Sequence, residues 1–420
     1  MENKPLDTPV SRRDFLKAAG TGVAAAAVMG GAAGVLTGCV SGQTKWDITT
    51  DVAVIGSGAA ASAVAVTARD QGAAVIILEK STATGGTSAK SGGVYWIPNN
   101  SFLRVAGIED NKGDCLRFLA RDAYPYWYNP DDARLGLPEH EYNLLSAFYD
   151  NGSKAIDYFA KIGALQSQQQ APLLPDYFDH VPENKVLRGR SLAPKSPTGQ
   201  GGGAELIRQM KAWIDSHNIQ VLTGHRVQQI VLNDKRQVMG VNASTLDGKT
   251  VSVRARKAVV FGSGGFTHNR ELIAQFQLGP EYGGCAVITN EGDFVYLAQA
   301  IGAQLSGMNS AWNAEIPLEQ ALEFSSTPND VWQPAGDSMI LVNKYGVLVT
   351  NEKRSYNDRT KIHFYWDPVQ QEYPNQIMFM VYDQRSRDLF AGAPGGYPMP
   401  TPGTTSSYEI SGQICQRRRR

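Results

Sequence analysis

The 420-residue chain is 42% apolar and 19% charged, a composition that buries a core across two or three domains and excludes a disordered chain. Its 40 Lys and Arg balance 40 Asp and Glu, which excludes a protein built around a cationic nucleic-acid face. Four cysteines, far apart at Cys39, Cys115, Cys285 and Cys415, exclude a disulfide framework and a CxxC metal cage.

The first motif is an address. Ser11-Arg12-Arg13-Asp14-Phe15-Leu16-Lys17 precedes an uncharged stretch rich in Ala and Gly, from Ala18 to Thr37, which runs into Leu36-Thr37-Gly38-Cys39. The pattern is that of a twin-arginine export signal followed by a lipobox, whose cysteine is acylated after cleavage. Ala18 to Thr37 is about long enough to span a bilayer, but its weak apolarity favours export over a permanent helix. The expectation is therefore an exported protein, periplasmic or on the outer face of the cytoplasmic membrane, anchored by lipid at Cys39. Without residues 1–38 the formal charge is −1, and without Arg417-Arg418-Arg419-Arg420 as well it is −5. Because twin-arginine export moves folded proteins, a cofactor inserted before export is expected downstream.

A nucleotide site follows. Asp51-Val-Ala-Val-Ile-Gly56 is a short β-branched run, as a buried parallel strand requires. Gly56-Ser57-Gly58-Ala59-Ala60-Ala61 makes a G-x-G-x-x-A turn, Ala61 to Gln71 reads as a helix stopped by Gly72, and Ala73 to Leu78 is a second strand ending at Glu79. Gly56 permits the tight turn, Gly58 lets the backbone approach a pyrophosphate, and Ala61 allows close helix–strand contact. The helix start offers N–H groups to phosphates, and Glu79, 23 residues after Gly56, is placed to accept from ribose hydroxyls. Gly85-Gly86-Thr87-Ser88-Ala89-Lys90-Ser91-Gly92-Gly93 is expected to be a loop passing close to a flat cofactor, before Val94-Tyr95-Trp96-Ile97-Pro98 resumes apolar sequence.

The order GSGAAA, Glu79-Lys80, GGTSAKSGG and SGGVYWIPNN resembles the flavoprotein family of fumarate reductases, succinate dehydrogenase flavoprotein subunits and 3-ketosteroid dehydrogenases. The phrase Ser91-Gly-Gly-Val-Tyr-Trp-Ile-Pro-Asn-Asn100 leans toward the ketosteroid dehydrogenase branch. Later landmarks keep the order. Gly199 to Ile214 is a Gly-rich entry into an amphipathic helix, and His217 to Val227 resembles the strand and turn whose backbone reaches the adenine. Ala258 to Phe266 resembles the strand returning to the flavin, and Asn290-Glu-Gly-Asp293 a Gly-Asp motif in which Phe294 replaces the usual glycine. The resemblance spans roughly residues 48 to 385. It implies FAD, held by Gly56, Gly58, Ala61, Glu79, Lys80, Gly86, Thr87, Ser88, Ser91, Gly92, Gly93, Val227 and Gly265, with Asp293 the weaker ligand for its altered motif.

The implied architecture is α/β: a Rossmann-like FAD-binding domain over 39–304 with an inserted α+β cap, the substrate domain, over 305–408, after a signal at 1–38 and before a basic tail at 409–420. Strands are expected near Ser338–Asn343, Val347–Thr350 and Ile377–Val381. In the family the cap closes over the flavin and supplies a proton donor or acceptor. Val349-Thr-Asn-Glu-Lys-Arg-Ser-Tyr-Asn-Asp358 resembles the cap motif that holds it. Fumarate reductases carry an arginine where this chain has Tyr356, as the ketosteroid dehydrogenase pattern does. An arginine clamps a carboxylate through a bidentate pair, whereas a phenol offers one hydroxyl in an apolar pocket. Tyr356 thus favours a larger, less charged substrate, with Arg354 or Arg359 as alternative acids if the motif is shifted.

The expected activity is an FAD-dependent oxidoreduction of a CH–CH or C=C bond beside a carbonyl, the electrons exchanged with a separate cytochrome or quinone because no CxxCH is present. The alternatives are a fumarate-type reductase of small unsaturated acids and a non-catalytic remnant. Arg188-Gly189-Arg190 reads as a solvated surface segment, and Tyr124, Tyr126, Trp127 and Tyr128 as ordinary packing. The histidines His140, His180, His217, His225, His268 and His363 form no HExxH, so a catalytic metal is not expected, and no G-x-S-x-G elbow appears. After Arg385 the family's closing Gly-rich segment is not recognised. Ala391 to Gly403 reads as a loop, and the four terminal arginines resemble out-of-frame coding more than a designed tail. A truncated product, a partner supplying the missing wall, and a basic membrane-binding tail are the readings this leaves.

Overall fold

The computed structural model describes residues 45–171, 173, 175–279, 281, 284–327 and 338–390. The export motif, Cys39, the stretch 391–403 and the arginine run lie outside the described residues.

Strand β1 (Ile48–Ile55) carries the nucleotide fold because its residues alternate between two cores. Val52 and Val54 pack with helices on one face; Ala53 and Ile55 enter the core on the other. The Val52–Ile55 half of β1 is buried on both faces and is therefore apolar without alternation, whereas Thr49, Thr50 and Asp51 occupy the half that leads in. After the helix Ala59–Asp70 the chain returns as β2 (Val75–Leu78), parallel to β1 with Val52 opposite Val75 and Ile55 opposite Leu78. This is a βαβ crossover, and the Ala-rich helix face (Ala61, Ala65 and Val66, all fully buried) lets it lie close to the sheet.

The chain then leaves for a smaller antiparallel sheet, β3 (Tyr95–Trp96), β4 (Ser167–Gln169), β5 (Ser191–Ser196) and β6 (Gly199–Gln200), ordered β3-β5-β4 with β6 on β5. The helices Lys112–Ala123 and Glu139–Lys161 flank it, with Asn111 capping the first through a bond from Gly113 N (2.8 Å). The helix Gly203–Ser216 brings the chain back, burying Leu206, Ile207, Met210, Trp213 and Ile214 in the core beside the helix Ala59–Asp70, a period of three to four residues.

Strands β7 (Gln220–Leu222), β8 (Arg226–Leu232), β9 (Val238–Ser244) and β10 (Thr250–Phe261) complete a six-stranded sheet, order β7-β2-β1-β10-β9-β8. Its β7-β2-β1-β10 half is parallel and the remainder is an antiparallel meander. In the following region β11 (Met339–Val342) pairs antiparallel with β12 (Phe379–Tyr382).

Two expectations change. Gly85–Gly93 is not loop throughout: Gly85, at φ +102°, turns the chain into a short helix, Gly86–Lys90, before Ser91 returns to extended backbone. The strand expected at Val347–Thr350 reduces to a single bridge between Leu348 and Val342, because Val347 and Leu348 are exposed and have no core to face. No described helix is long and apolar enough to cross a membrane.

Candidate active site

The nucleotide turn is set by three backbones in contact. Gly56 sits at φ +100°, and a Cβ there would lie 2.6 Å from the Gly262 carbonyl oxygen. A Cβ on Gly262 would in turn fall 2.5 Å from Ala61 N. The helix start is thus held against the end of β10, and small residues are required on both sides. Gly58 differs: its φ is −69°, and a Cβ would meet only the Ser88 hydroxyl at 3.3 Å and the Gly85 carbonyl at 3.8 Å. The protein itself nearly tolerates a side chain there, so the opening it leaves fits a group approaching from outside, as a pyrophosphate would.

Around that turn the sequence-derived residues converge. Glu79 is buried at the end of β2 and accepts from Ser57 Oγ (2.7 Å) and Ser81 N (2.7 Å), leaving lone pairs on both oxygens for ribose hydroxyls. Ser88 Oγ accepts from Ala59 N (3.1 Å), and Thr87 Oγ1 accepts from Val287 N (3.2 Å). Gly86, at φ +50°, opens the short helix and a Cβ on it would meet nothing, as on Gly92. Ser91 O accepts from Gly203 N (2.8 Å), and Gly93, at φ +69°, has no room for a Cβ because Gly202 C would lie 2.4 Å away. Gly265 lies beside Asn290, whose Oδ1 accepts from Thr267 N (3.2 Å). Val227 is a core residue of β8 beside a bulge, so any part it plays at the cofactor falls to its main chain.

Lys80 and Asp293 meet each other. Lys80 Nζ pairs with Glu291 (2.9 Å) and Asp293 (3.2 Å), and Arg226 holds the other Asp293 oxygen at 2.6 Å. The four charges cross-link the β2 end, the β8 start and the N-terminus of the Asp293–Ile301 helix, where an acidic side chain also suits the helix dipole.

Tyr356 opens a four-residue helix, Tyr356–Arg359, and is buried, 8% exposed. Its oxygen accepts from Tyr177 Oη (3.4 Å) and from Trp312 Nε1, and the Tyr177 ring meets it edge-on at 5.6 Å. The neighbouring cations are engaged elsewhere. Arg359, fully buried, donates to both Glu315 oxygens (3.1 and 2.9 Å) and to the Glu352 carbonyl (2.8 Å). Arg354 donates to His180 Nδ1 (2.7 Å).

Arg190 corrects the solvated reading given to the Arg188–Arg190 segment. Its side chain is 0% exposed and forms a bidentate pair with Asp110 (2.9 and 2.8 Å) and a bond to Asp176 (2.8 Å). Burial opposes its charge, yet the two carboxylates raise its pKa above the ordinary arginine value; burial raises that of Asp176 despite the guanidinium. Nothing in its local sequence marks Arg190, since Asp110 is 80 residues away. Tyr177 and Trp312 escape the sequence reading for the same reason, each mattering through a distant contact, whereas Gly262 lies inside the Ala258–Phe266 motif. The aromatic cluster divides. Tyr124 and Tyr128 pack against Leu116, Ala120, Leu135 and Leu137, while Tyr126 is almost wholly exposed. Among the described residues no group of three or more His, Cys, Asp or Glu is placed to hold a metal ion.

Residues 51–391 match the family model described as FAD binding domain. The chain is 27% identical to 4-oxocyclohexanecarboxylate 2-dehydrogenase of Sinomonas cyclohexanicum, over 84% of this chain and 68% of that protein. It is 25% identical to 3-oxosteroid 1-dehydrogenase of Mycolicibacterium smegmatis, over 84% of this chain and 71% of the relative. In fold it is similar to 3-ketosteroid delta1-dehydrogenase from Sterolibacterium denitrificans, with TM-score 0.70 and 21% identity over 86% of this chain and 73% of that one. With the βαβ turn, the Glu79 carboxylate and the glycine cradle in place, the chain belongs to the FAD binding domain family, an FAD-dependent oxidoreductase with FAD as its cofactor.

Proposed function

We propose that this chain oxidises or reduces a carbon–carbon bond beside a ketone carbonyl, on a ring substrate less charged than fumarate, with Tyr356 exchanging the proton. The observation that carries this reading is the setting of Tyr356: a buried hydroxyl facing a second phenol, with the nearby buried Arg359 committed to Glu315. The names of the relatives, dehydrogenases of oxo-ring compounds, point the same way.

Bound FAD supplies the hydride acceptor or donor for such chemistry. The chain's own residues do the rest. In dehydrogenation the Tyr356 hydroxyl first passes its own proton outward through Tyr177; its oxygen then takes the proton of the α-carbon as the hydride leaves the β-carbon, and a double bond forms between the two carbons; reduction is the reverse. The indole N–H of Trp312 and the Tyr177 hydroxyl both point at that oxygen and stabilise negative charge on it. Tyr177 is half-exposed and links buried Tyr356 to water, so the proton leaves or arrives through it. The tie to the cofactor side is Trp96, three residues beyond Gly93, whose Nε1 donates to Asp176 (3.0 Å), the residue before Tyr177.

A reductase of small dicarboxylates needs an arginine to clamp substrate. Arg359, buried, is spent on Glu315, which weighs against that reading; Arg354 is exposed and gives one donor to His180. The proposal extends to the surroundings: Ser11–Lys17 and Leu36–Cys39 support twin-arginine export and a lipid anchor at Cys39, with a separate cytochrome or quinone exchanging electrons. The test loads the enzyme with FAD and offers 4-androstene-3,17-dione or 4-oxocyclohexanecarboxylate without oxygen. Bleaching of the oxidised flavin band supports the reading. Rapid reoxidation of reduced enzyme by fumarate, with neither ketone reacting, contradicts it.

A further inference from the structure

We infer that Arg190 is a positioning residue that fixes Tyr177 against Tyr356, acting through Asp176. The inference rests on the proton-exchange role given above to the tyrosine pair.

Arg190 joins three separate stretches of chain. Nε and Nη2 grip Asp110, which also accepts from Asn99 N (2.8 Å); Nη1 donates to Asp176 Oδ2 (2.8 Å), Asn184 Oδ1 (3.0 Å) and the Val186 carbonyl (3.1 Å). The guanidinium lies over the Trp96 ring at 5.1 Å and the Phe118 ring at 5.4 Å. Nε, both hydrogens of Nη1 and one of Nη2 are thus engaged, four of the five donors of a planar fork, a geometry an ammonium does not reproduce.

Asp176 is the point of transmission. One oxygen is held by Arg190, the other by Trp96 Nε1, and its backbone N–H by the Leu187 carbonyl (3.0 Å). Its side chain is 2% exposed, so it cannot swing out to water. Tyr177 leaves the next α-carbon for the surface, and the contact that matters is its 3.4 Å approach to Tyr356. With residue 176 fixed on three sides, Tyr177 inherits a defined origin although its own ring is half-exposed. The burial cost of one cation with two carboxylates is large, and a packed apolar cluster would serve stability as well. What the ion cluster adds is direction.

The experiment is a double-mutant cycle on the FAD-loaded enzyme, with 4-androstene-3,17-dione as the probe. Arg190→Lys is expected to lower the rate of flavin reduction 10- to 100-fold with FAD retention and apparent substrate affinity within twofold of the parent. In a Tyr177→Phe background the same change is expected to cost less than threefold. A further tenfold loss in that background overturns the inference. Trp96→Phe, which removes one bond to Asp176 and keeps an aromatic face, is the milder variant should Arg190→Lys not fold. Amide hydrogen exchange supplies a readout independent of turnover. Amides 176–181 must exchange at least tenfold faster in either variant while those of Val52–Ile55 stay unchanged, and unchanged exchange at 176–181 overturns the inference. Should the parent enzyme react with neither this probe nor 4-oxocyclohexanecarboxylate, the activity reading fails on its own and the exchange measurement still decides the positioning.

Discussion

The Tyr177 hydroxyl lies 3.4 Å from that of Tyr356, joining residues 179 positions apart into one phenol pair, half-exposed at one end and buried at the other. Two buried arginines bracket the pair. Arg190 fixes the residue before Tyr177, and Arg359, one helical turn after Tyr356, is bound to Glu315. The Tyr356 oxygen, the proposed proton carrier, thus rests on charge pairs outside the proposed reaction.

The two phenols are expected to respond differently to loss of their hydroxyls. Tyr356→Phe should lower flavin reduction by about 100- to 10,000-fold, the range for removing a positioned proton carrier. Tyr177→Phe should cost less, because water reaches Tyr356 when the relay is cut. Single-turnover kinetics with FAD occupancy checked by absorbance measure both.

Arg359 offers a stability test. Arg359→Met leaves Glu315, only 10% exposed, without its partner and should cost about 3–5 kcal/mol, as breaking buried pairs does. Adding Glu315→Leu should recover part of the loss. Denaturant unfolding of both variants measures the difference.

Gly56→Ala tests the cradle. The new Cβ would stand 2.6 Å from the Gly262 oxygen on a backbone at φ +100°, so strain of at least about 1–2 kcal/mol adds to the clash. Reduced melting temperature and poor FAD retention are expected, whereas Gly72→Ala, with nothing nearby, should show the φ penalty alone and keep FAD. Thermal unfolding and flavin absorbance report the two outcomes.

How much of this was legible in the sequence depends on the range of the interaction. The βαβ turn, Glu79 and the Gly203–Ser216 helix are local patterns, and each stands where its pattern places it. Gly85–Gly93 misled because glycine and serine suggest a loop, while the left-handed Gly85 and the helix-compatible Ala89-Lys90 give one helical turn. Asp293 was legible as a motif, but its ion pairs with Lys80 and Arg226 come from strands far apart in sequence. Arg190 was misread outright: a charged residue beside a glycine looks solvated until Asp110 and Asp176 arrive from elsewhere.

Cys115 gives the pH prediction. Burial pushes its thiol from the ordinary value of 9.0 up to about 12, against the pull of nearby Arg190. The native thiol should resist alkylation at pH 8 and react only on unfolding. Between pH 9 and 12 the folded thiol keeps its proton and the unfolded one loses it, so stability must fall as pH rises through that window. Tyr95, raised by burial to about 12 from 10.0, acts in the same direction. Cys115→Ala should flatten the alkaline decline in melting temperature.

The most direct test of the central claim is anaerobic stopped-flow mixing of the FAD-loaded enzyme with 4-androstene-3,17-dione or 4-oxocyclohexanecarboxylate, for the parent and for Tyr356→Phe. The account predicts loss of the oxidised flavin absorbance in the parent, and its near-absence in the variant with FAD still bound. Equal rates in the two proteins would contradict the role of Tyr356, and an unreduced parent with both ketones would contradict the proposed reaction.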